Sequence, residues 1–150
     1  VLAELRREQE SAARVEELVE ELRRAGYLGG AREFAAAIGA WGRQRSWQAA
    51  LAMFEEAARR SCAARALTYN AAISACGRGQ QWRLVQRLLG RMEKQVVELD
   101  IVTCNSVISA WEKEGRWEMA QDTLHQARRG GLAPDLITSN AVISACEKGQ

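Results

Sequence analysis

The stretch LTYNAAISAC at residues 67–76 returns as VTCNSVISAW at residues 102–111 and again as ITSNAVISAC at residues 137–146. Each copy has an asparagine at its fourth place, so successive copies are 35 residues apart. These asparagines are Asn70, Asn105 and Asn140. A fixed period of this length is typical of proteins that stack one small supersecondary unit many times. The repeat therefore decides the fold class.

The 35-residue period divides the chain into five units. They are residues 1–30, 31–65, 66–100, 101–135 and 136–150. The first unit fits the frame loosely, as a degenerate repeat or a cap, and the last unit is truncated. Since no linker separates the units, we expect a single array that is a fragment of a longer protein.

Each complete unit is predicted to form two short amphipathic helices. In residues 66–100 the first helix is expected from Tyr69 to Gly77, with Thr68 as its N-cap. The second helix is expected from Trp82 to Lys94. Helices this short are marginal alone in water, so their apolar stripes must be buried against neighbouring units. The sequence predicts an all-α fold, an α-solenoid of stacked helix-turn-helix repeats.

Several large or sulfur-containing side chains are expected in the core. Tryptophan opens the second helix of three units, at Trp47, Trp82 and Trp117, where burial of its large surface is favoured over the alternative of stacking on RNA. The cysteines lack C-x-x-C spacing and the only histidine is His125, expected on an outer face, so no metal site or other cofactor is predicted. Buried free thiols are the expected state of the cysteines, which are Cys62, Cys76, Cys104 and Cys146.

The overall composition excludes several classes of protein. The formal net charge is +2, and 47% hydrophobic with 27% charged residues is normal for a soluble globular chain. Charges interrupt every long apolar run, so no membrane-spanning helix is expected. The N-terminal segment is rich in Glu, unlike a transit peptide. The modest net charge does not decide for or against nucleic acid, because a local basic stripe matters more.

The units resemble pentatricopeptide repeats. The resemblance rests on the period and on the stretches VTCNSVISAWEKEGRWEMAQDTLHQARRGGLAPD and LTYNAAISACGRGQQW. It covers residues 31–150 well and residues 15–30 weakly. The W-x2-L-G-x2-Y signature of the related tetratricopeptide repeat is absent from the sequence. The resemblance implies a protein that binds single-stranded RNA and reads one base per repeat, mainly through two side chains.

The two base-reading positions of the family are a polar residue early in the first helix and the last residue of the repeat. The resemblance places them at Asn70 with Asp100 and at Asn105 with Asp135, a combination that favours uracil. An Asn amide offers a donor and an acceptor to the base edge, and the Asp can fix which way the amide points. Asn140 begins a third reader, which favours a pyrimidine. The alternative is that these residues only cap helices or form turns.

Two further columns of the repeat take a role from the resemblance. The family sandwiches each base between apolar residues at the second place of successive repeats, here Leu67, Val102 and Ile137. Packing between repeats is the alternative role for these residues. A basic residue late in the first helix is associated with phosphate contact, with solvated surface charge as the alternative. That column contains Arg43, Arg78, Lys113 and Lys148.

Residues 31–65 depart from the family pattern. They have Arg32 at the apolar position, Ala35 at the base-reading position and Arg65 at the end. An alanine cannot hydrogen-bond a base edge, so base recognition is not expected there. This unit is predicted to be a spacer or to contact the RNA backbone through its arginines.

The leading functional hypothesis is sequence-selective binding of uridine-rich or pyrimidine-rich single-stranded RNA, in organellar RNA processing, stability or editing. The alternative is a helical-repeat scaffold that binds other proteins. No zinc-deaminase signature is present, so we expect no enzymatic activity within this chain, and any catalytic domain would lie outside it. We also expect neither a small-molecule substrate nor a membrane partner. The resemblance implies a mitochondrial or plastid location.

Overall fold

The structure is a computed structural model. It describes residues 2–60, 65–95, 97 and 100–149, with side chains for all of these except 2–10 and 65. Cys62 and the side chain of Arg65 therefore lie outside the described residues. The described residues form eight α-helices and no strand, which confirms the all-α helical-repeat fold. The helices are α1 (Leu2–Arg24), α2 (Ala31–Arg43), α3 (Trp47–Arg59), α4 (Arg65–Arg78), α5 (Trp82–Lys94), α6 (Ile101–Lys113), α7 (Trp117–Arg129) and α8 (Leu136–Gly149).

The chain divides into two compact units, residues 1–75 and 76–150, and α4 crosses the boundary between them. In the first unit α2 packs against α3, and α1 lies against α2. The core of this unit includes Phe34 and Ile38 of α2, both fully buried, and the buried Phe54 of α3. These side chains stand on the apolar stripes that the helical periodicity predicts.

In the second unit α6 packs against both α7 and α8. Trp111 of α6 is fully buried, and its Nε1–H donates to Thr123 Oγ1 of α7 at 3.2 Å. The Thr123 hydroxyl in turn donates to the Met119 carbonyl at 2.8 Å, so this polar group has partners inside the core. Gly77 lies so close to α6 that an added Cβ would stand 3.3 Å from the Ala110 Cβ. Small residues thus allow close approach of neighbouring first helices in this unit.

The turn inside each helical pair has a residue in the left-handed conformation. Arg45, Gln80 and Gly115 stand one period apart and have φ of 56°, 56° and 65°. A Cβ disfavours this conformation, so the turn is least strained at Gly115. The turn after α7 also uses this conformation, because Gly131 follows the helix with φ 83°.

One of the two helices predicted for residues 66–100 has the expected bounds. The second helix runs from Trp82 to Lys94, as predicted. The predicted start of the first helix is wrong, because α4 begins at Arg65 and Thr68 lies inside it. Thr68 is therefore not an N-cap, since its own N–H already belongs to the helix.

In α6 and α8 the capping side chain comes from the last residue of the preceding repeat. Asp100 precedes α6, and its Oδ1 accepts from the Thr103 N–H at 2.6 Å. Asp135 stands in the same place before α8 and accepts from the Thr138 N–H at 2.8 Å. A carboxylate just outside the helix can reach the N–H groups of the first turn, which have no partner within the helix.

The recurring tryptophans fill the core less completely than predicted. Trp47, Trp82 and Trp117 are the first residues of α3, α5 and α7, but all three are only partly buried. The Arg116 guanidinium lies over the Trp82 ring, 3.4 Å from the ring centre. The fully buried tryptophan is Trp111, which does not belong to this column.

The cysteines of the second unit differ in burial. Cys76 and Cys104 are buried free thiols, as predicted, and burial raises the pKa of Cys76 to about 11. Burial is also the main cause that raises the pKa of Cys104, with the negative charges of Asp135 and Asp100 as smaller causes. Cys146 is only half-buried, near the end of the last described helix, so the prediction is wrong there.

Candidate nucleic-acid interface

Three polar side chains converge where repeat 101–135 meets the first turn of the next repeat. The Oδ1 atom of Asp135 accepts from the Thr138 N–H at 2.8 Å and from the Thr138 hydroxyl at 2.7 Å. The same hydroxyl contacts Asn105 Oδ1, and the Asn105 amide lies near enough to the Asp135 carboxylate to help lower its pKa. The structure thus brings the predicted pair together, with Thr138 between them. We call Asn105, Asp135 and Thr138 the Asn105 cluster.

Hydrogen bonds hold the pKa of Asp135 below its usual range. The backbone N–H of Thr138 is the largest cause, followed by the Thr138 hydroxyl, and the Asn105 amide adds to them. Donors around a carboxylate favour its charged form. Since the folded pKa is below the unfolded one, this stabilisation is present above about pH 4 and is lost as the pH falls through the folded value. At neutral pH Asp135 is therefore an acceptor only.

Exposed apolar side chains stand beside the cluster on both helices. Val102 of α6 is 56% exposed and Ile137 of α8 is 68% exposed. Leu67, at the equivalent position in the first unit, is 46% exposed. Val102 and Ile137 are thus accessible to the face of a base. Their role in sandwiching a base stays a prediction.

The other base-reading residues are placed less completely. Asn70 lies in the first unit and Asp100 in the second, so each is described in its own unit. Asn70 is half-buried on α4, and its Oδ1 accepts no hydrogen bond from the described residues. Asp100 is exposed and caps α6. Asn140 is exposed on α8. Base reading by these three residues also stays a prediction.

The four basic residues predicted to contact phosphate are exposed and lie in the last turn of a first helix; they are Arg43, Arg78, Lys113 and Lys148. A cation at this place also complements the negative end of the helix dipole. Lys148 is already paired, because its Nζ donates to Glu112 Oε1 at 3.0 Å. Ser144 donates to the same oxygen at 2.8 Å, and these two hydrogen bonds lower the pKa of Glu112. Glu112 therefore offsets part of the positive charge of this column.

Residues 31–65 lack the features of the Asn105 cluster at the described positions. The helix α2 follows Gly30, and no side chain caps it. Ala35 is half-buried and Arg32 is exposed. This first turn offers a base neither an amide nor an apolar face, in agreement with the departure seen in the sequence.

Two residues of this surface are not identified by the sequence reasoning. The first is Thr138, for which a signal existed, because threonine recurs one period apart at Thr68, Thr103 and Thr138. A capping role is predicted from the sequence for Thr68 alone, whereas at Thr138 the hydroxyl contacts the preceding repeat. The second is Glu112, which stands one period after Gly77 and has no signal of its own.

Other kinds of site receive no support from the described part of the chain. No described helix is both long and apolar enough to cross a membrane. Among the described side chains, no three His, Cys, Asp or Glu are grouped to hold a metal ion. His125 is exposed on α7, as predicted.

Comparison with known families agrees with this architecture. Residues 67–95 match the model of the PPR repeat, and residues 99–148 match the model of the PPR repeat family. The two matches fall on the repeats that carry asparagine at the base-reading position. The chain belongs to the pentatricopeptide repeat family, as the sequence predicted.

Solved structures of one member of the family are similar to this chain. The pentatricopeptide repeat protein PPR10 from maize is 30% identical with a TM-score of 0.69, over 90% of this chain and 19% of that chain. PPR10 in complex with an 18-nt psaJ RNA element is 29% identical with a TM-score of 0.71, over 81% of this chain and 18% of that chain. This chain thus spans about a fifth of the PPR10 chains. Among curated proteins, none matches it.

Proposed function

We propose that this chain binds single-stranded RNA with one base per repeat. Uridine is proposed at repeats 66–100 and 101–135, and a pyrimidine at repeat 136–150. The observation that carries the proposal is the Asn105 cluster, in which a carboxylate and a hydroxyl hold an amide beside exposed apolar side chains. Asp135 also caps α8, but this carboxylate and both apolar neighbours are exposed, so the cluster is open to a ligand.

The Asn105 amide keeps the donor and the acceptor that a uracil edge requires. If one of its N–H groups is directed at the ionised Asp135, the second N–H and a lone pair on Oδ1 stay available for a ligand. Uracil presents an N–H donor next to a carbonyl acceptor, so it complements an amide carbonyl next to an amide N–H. Val102 and Ile137 can cover the two faces of the base and keep water from competing for these hydrogen bonds.

The exposed basic column supplies the electrostatic part of the binding. Arg43, Arg78 and Lys113 can approach phosphate groups, whereas Lys148 must share its charge with Glu112. Every phosphate that is neutralised releases counterions, so log affinity is expected to fall with log salt with a slope of about 0.7 per contact. Because Lys148 is paired, we expect it to contribute less to this slope than Lys113 does.

The PPR10 complex supports RNA binding as the general role, since that family member is seen with an RNA element. The choice of uridine, a role in RNA processing, stability or editing, and a mitochondrial or plastid location stay predictions from the family resemblance. No residue of the described chain is assigned a catalytic role in this proposal.

The test compares Asn105→Ala with the wild-type chain, using NMR titration with oligo-U and oligo-A because this method detects weak binding. The wild type should prefer oligo-U, and the variant should lose about two- to tenfold of that preference, the range of one net hydrogen bond. The fold should survive, because Asn105 is only half-buried. His125→Ala, on the exposed surface of α7, is the matched control. Equal affinity of the wild type for both oligomers would contradict the proposal.

A protein-binding scaffold is the second candidate, and one observation favours it. In the first unit Leu18, Leu22 and Tyr27 are 44%, 41% and 69% exposed. Exposed apolar groups that lie close together occur at protein contacts. Salt separates the two candidates, because contact with an apolar surface responds little to salt whereas RNA binding weakens with it.

A further inference from the structure

Thr138 belongs to the repeat that follows the one whose asparagine it contacts. It is the third residue of α8, and its side chain is fully buried. Its hydroxyl touches Asn105 Oδ1 and lies 2.7 Å from Asp135 Oδ1. The Asn105 amide therefore has two neighbours, Asp135 and Thr138. The base-reading pair taken from the family resemblance includes only Asp135.

The number of available protons fixes the orientation of the amide. The ionised Asp135 can only accept hydrogen bonds, so a carbonyl of Asn105 turned towards it would place two acceptors face to face. The Asn105 carbonyl instead contacts Thr138, whose hydroxyl is the donor, and this leaves the amide N–H groups for the carboxylate side. The single proton of this hydroxyl is then shared between Asn105 Oδ1 and Asp135 Oδ1. The acceptor-only carboxylate thus favours one of the two amide orientations, and the hydroxyl stabilises that orientation when it donates to the Asn105 carbonyl.

The orientation of an asparagine amide decides which pyrimidine it complements. Uracil has an N–H donor next to a carbonyl acceptor, whereas cytosine has a ring-nitrogen acceptor next to an amino donor. A flipped amide exchanges its own donor and acceptor and so complements the other base. An amide that flips freely would bind both pyrimidines, and an amide held in one orientation would choose between them.

We propose that Thr138 is a positioning residue that locks the Asn105 amide and thereby makes repeat 101–135 choose uridine over cytidine. This inference rests on the proposed RNA binding. The hydroxyl is well placed for the role because it is fully buried, so water does not compete for its proton. It also holds the carboxylate that orients the other side of the amide, which couples the two restraints.

The first experiment measures the hydrogen bonds without RNA, by NMR of the full chain. Thr138→Val removes the hydroxyl and keeps the branched shape, while Thr138→Ser keeps the hydroxyl. The pKa of Asp135 should rise in Thr138→Val and stay low in Thr138→Ser, since a donor to the carboxylate is lost only in the first. The Asn105 side-chain amide signals should move in the same variant.

Thr103→Val is the matched control for the loss of a buried hydroxyl. Thr103 stands one period before Thr138 and is 1% exposed, and its Oγ1 has no hydrogen-bond partner among the described residues. This variant should leave the pKa of Asp135 and the Asn105 amide signals unchanged. An unchanged Asp135 pKa in Thr138→Val would overturn the inference.

The second experiment measures selectivity, as the ratio of the affinities for oligo-U and oligo-C. Thr138→Val should lower this ratio by about two- to tenfold, the range of one net hydrogen bond. Thr138→Ser keeps the hydroxyl, so its ratio should stay close to that of the wild type. A wild type that prefers uridine, with Thr138→Val as selective as the wild type, overturns this inference alone. A wild type that binds no RNA, or binds both oligomers equally, overturns the proposed uridine reading and the role of Thr138 with it.

Discussion

Repeat 31–65 and repeat 101–135 share their core positions. Ile38 and Ile108 are equivalent, and both are fully buried. Phe34 and Cys104 are also equivalent and fully buried, although they differ greatly in size. Each side chain stands on the stripe of a first helix that faces its own unit. The two repeats therefore fold in the same way, although one belongs to each unit of the structure.

The same two repeats differ at the start of their first helices. The helix α2 follows Gly30 without a side-chain cap and exposes Arg32, whereas α6 follows the capping Asp100 and exposes Val102. The positions that are buried in one repeat are thus also buried in the other, whereas the residues at the start of the first helix differ. The buried core positions are thus separate from the candidate reading surface, whereas the capping aspartate belongs to both, so core and edge substitutions should differ in the size of their effect on stability.

The largest expected effect comes from the core side of this comparison. Trp111→Ala should lower the free energy of unfolding by about 3–5 kcal/mol, because it leaves a cavity where a fully buried ring stood. It also removes the indole N–H that donates to Thr123. Urea unfolding followed by circular dichroism measures the change.

Trp117→Ala is the control, because the same ring is only half-buried at the first position of α7. Its cost should be less than half of the Trp111 cost. Equal losses of unfolding free energy in the two variants would mean that the degree of burial does not decide the contribution of a tryptophan to stability in this unit.

A smaller effect is expected from the edge of repeat 101–135. Asp100→Ala should lower the free energy of unfolding by about 1 kcal/mol, because the Thr103 N–H loses its acceptor at the start of α6. Asp100→Asn is the control, since an Asn side chain also caps well. A loss in Asp100→Asn as large as that in Asp100→Ala would show that the charge, rather than the hydrogen bond, is what matters.

Much of the fold follows from the sequence alone, because the repeat is periodic. The period of 35 residues predicts where the helices recur, and the predicted bounds of α5 agree with the structure. The start of α4 is not predictable from Thr68 alone, since threonine can either cap a helix or lie inside its first turn. The burial of the recurring tryptophans is also not predictable from their size alone. A large ring favours burial, but these rings stand at the first position of a helix and are only partly buried.

The candidate site follows from the sequence only in part. The pairing of Asn105 with Asp135 is expected from the family resemblance, but Thr138 is not, because its hydroxyl meets the pair only once α8 packs against α6. The ion pair of Lys148 with Glu112 is also a product of that packing. Contacts between repeats depend on helix spacing and rotation, which a residue pattern does not contain.

The smallest expected effect comes from a substitution that gives α2 a side-chain cap, as α6 already has. Gly30→Ser should raise the free energy of unfolding by a few tenths of a kcal/mol, the difference between a serine and a glycine N-cap. Gly30 has φ −115° and ψ 163°, an extended conformation that serine adopts without strain. Glu33 is the third residue of α2, so the substitution completes the S-x-x-E pattern of a capping box.

Gly30→Ala separates the cap from the added Cβ. In both variants the new Cβ must displace the Glu33 carboxylate, which lies at the flexible end of its side chain. Only serine can accept a hydrogen bond from the first turn, so the serine variant should be more stable than the alanine variant in urea unfolding. If alanine stabilises the chain as much as serine does, the gain comes from restricting the unfolded chain. The missing cap would then not be what distinguishes the start of α2 from that of α6.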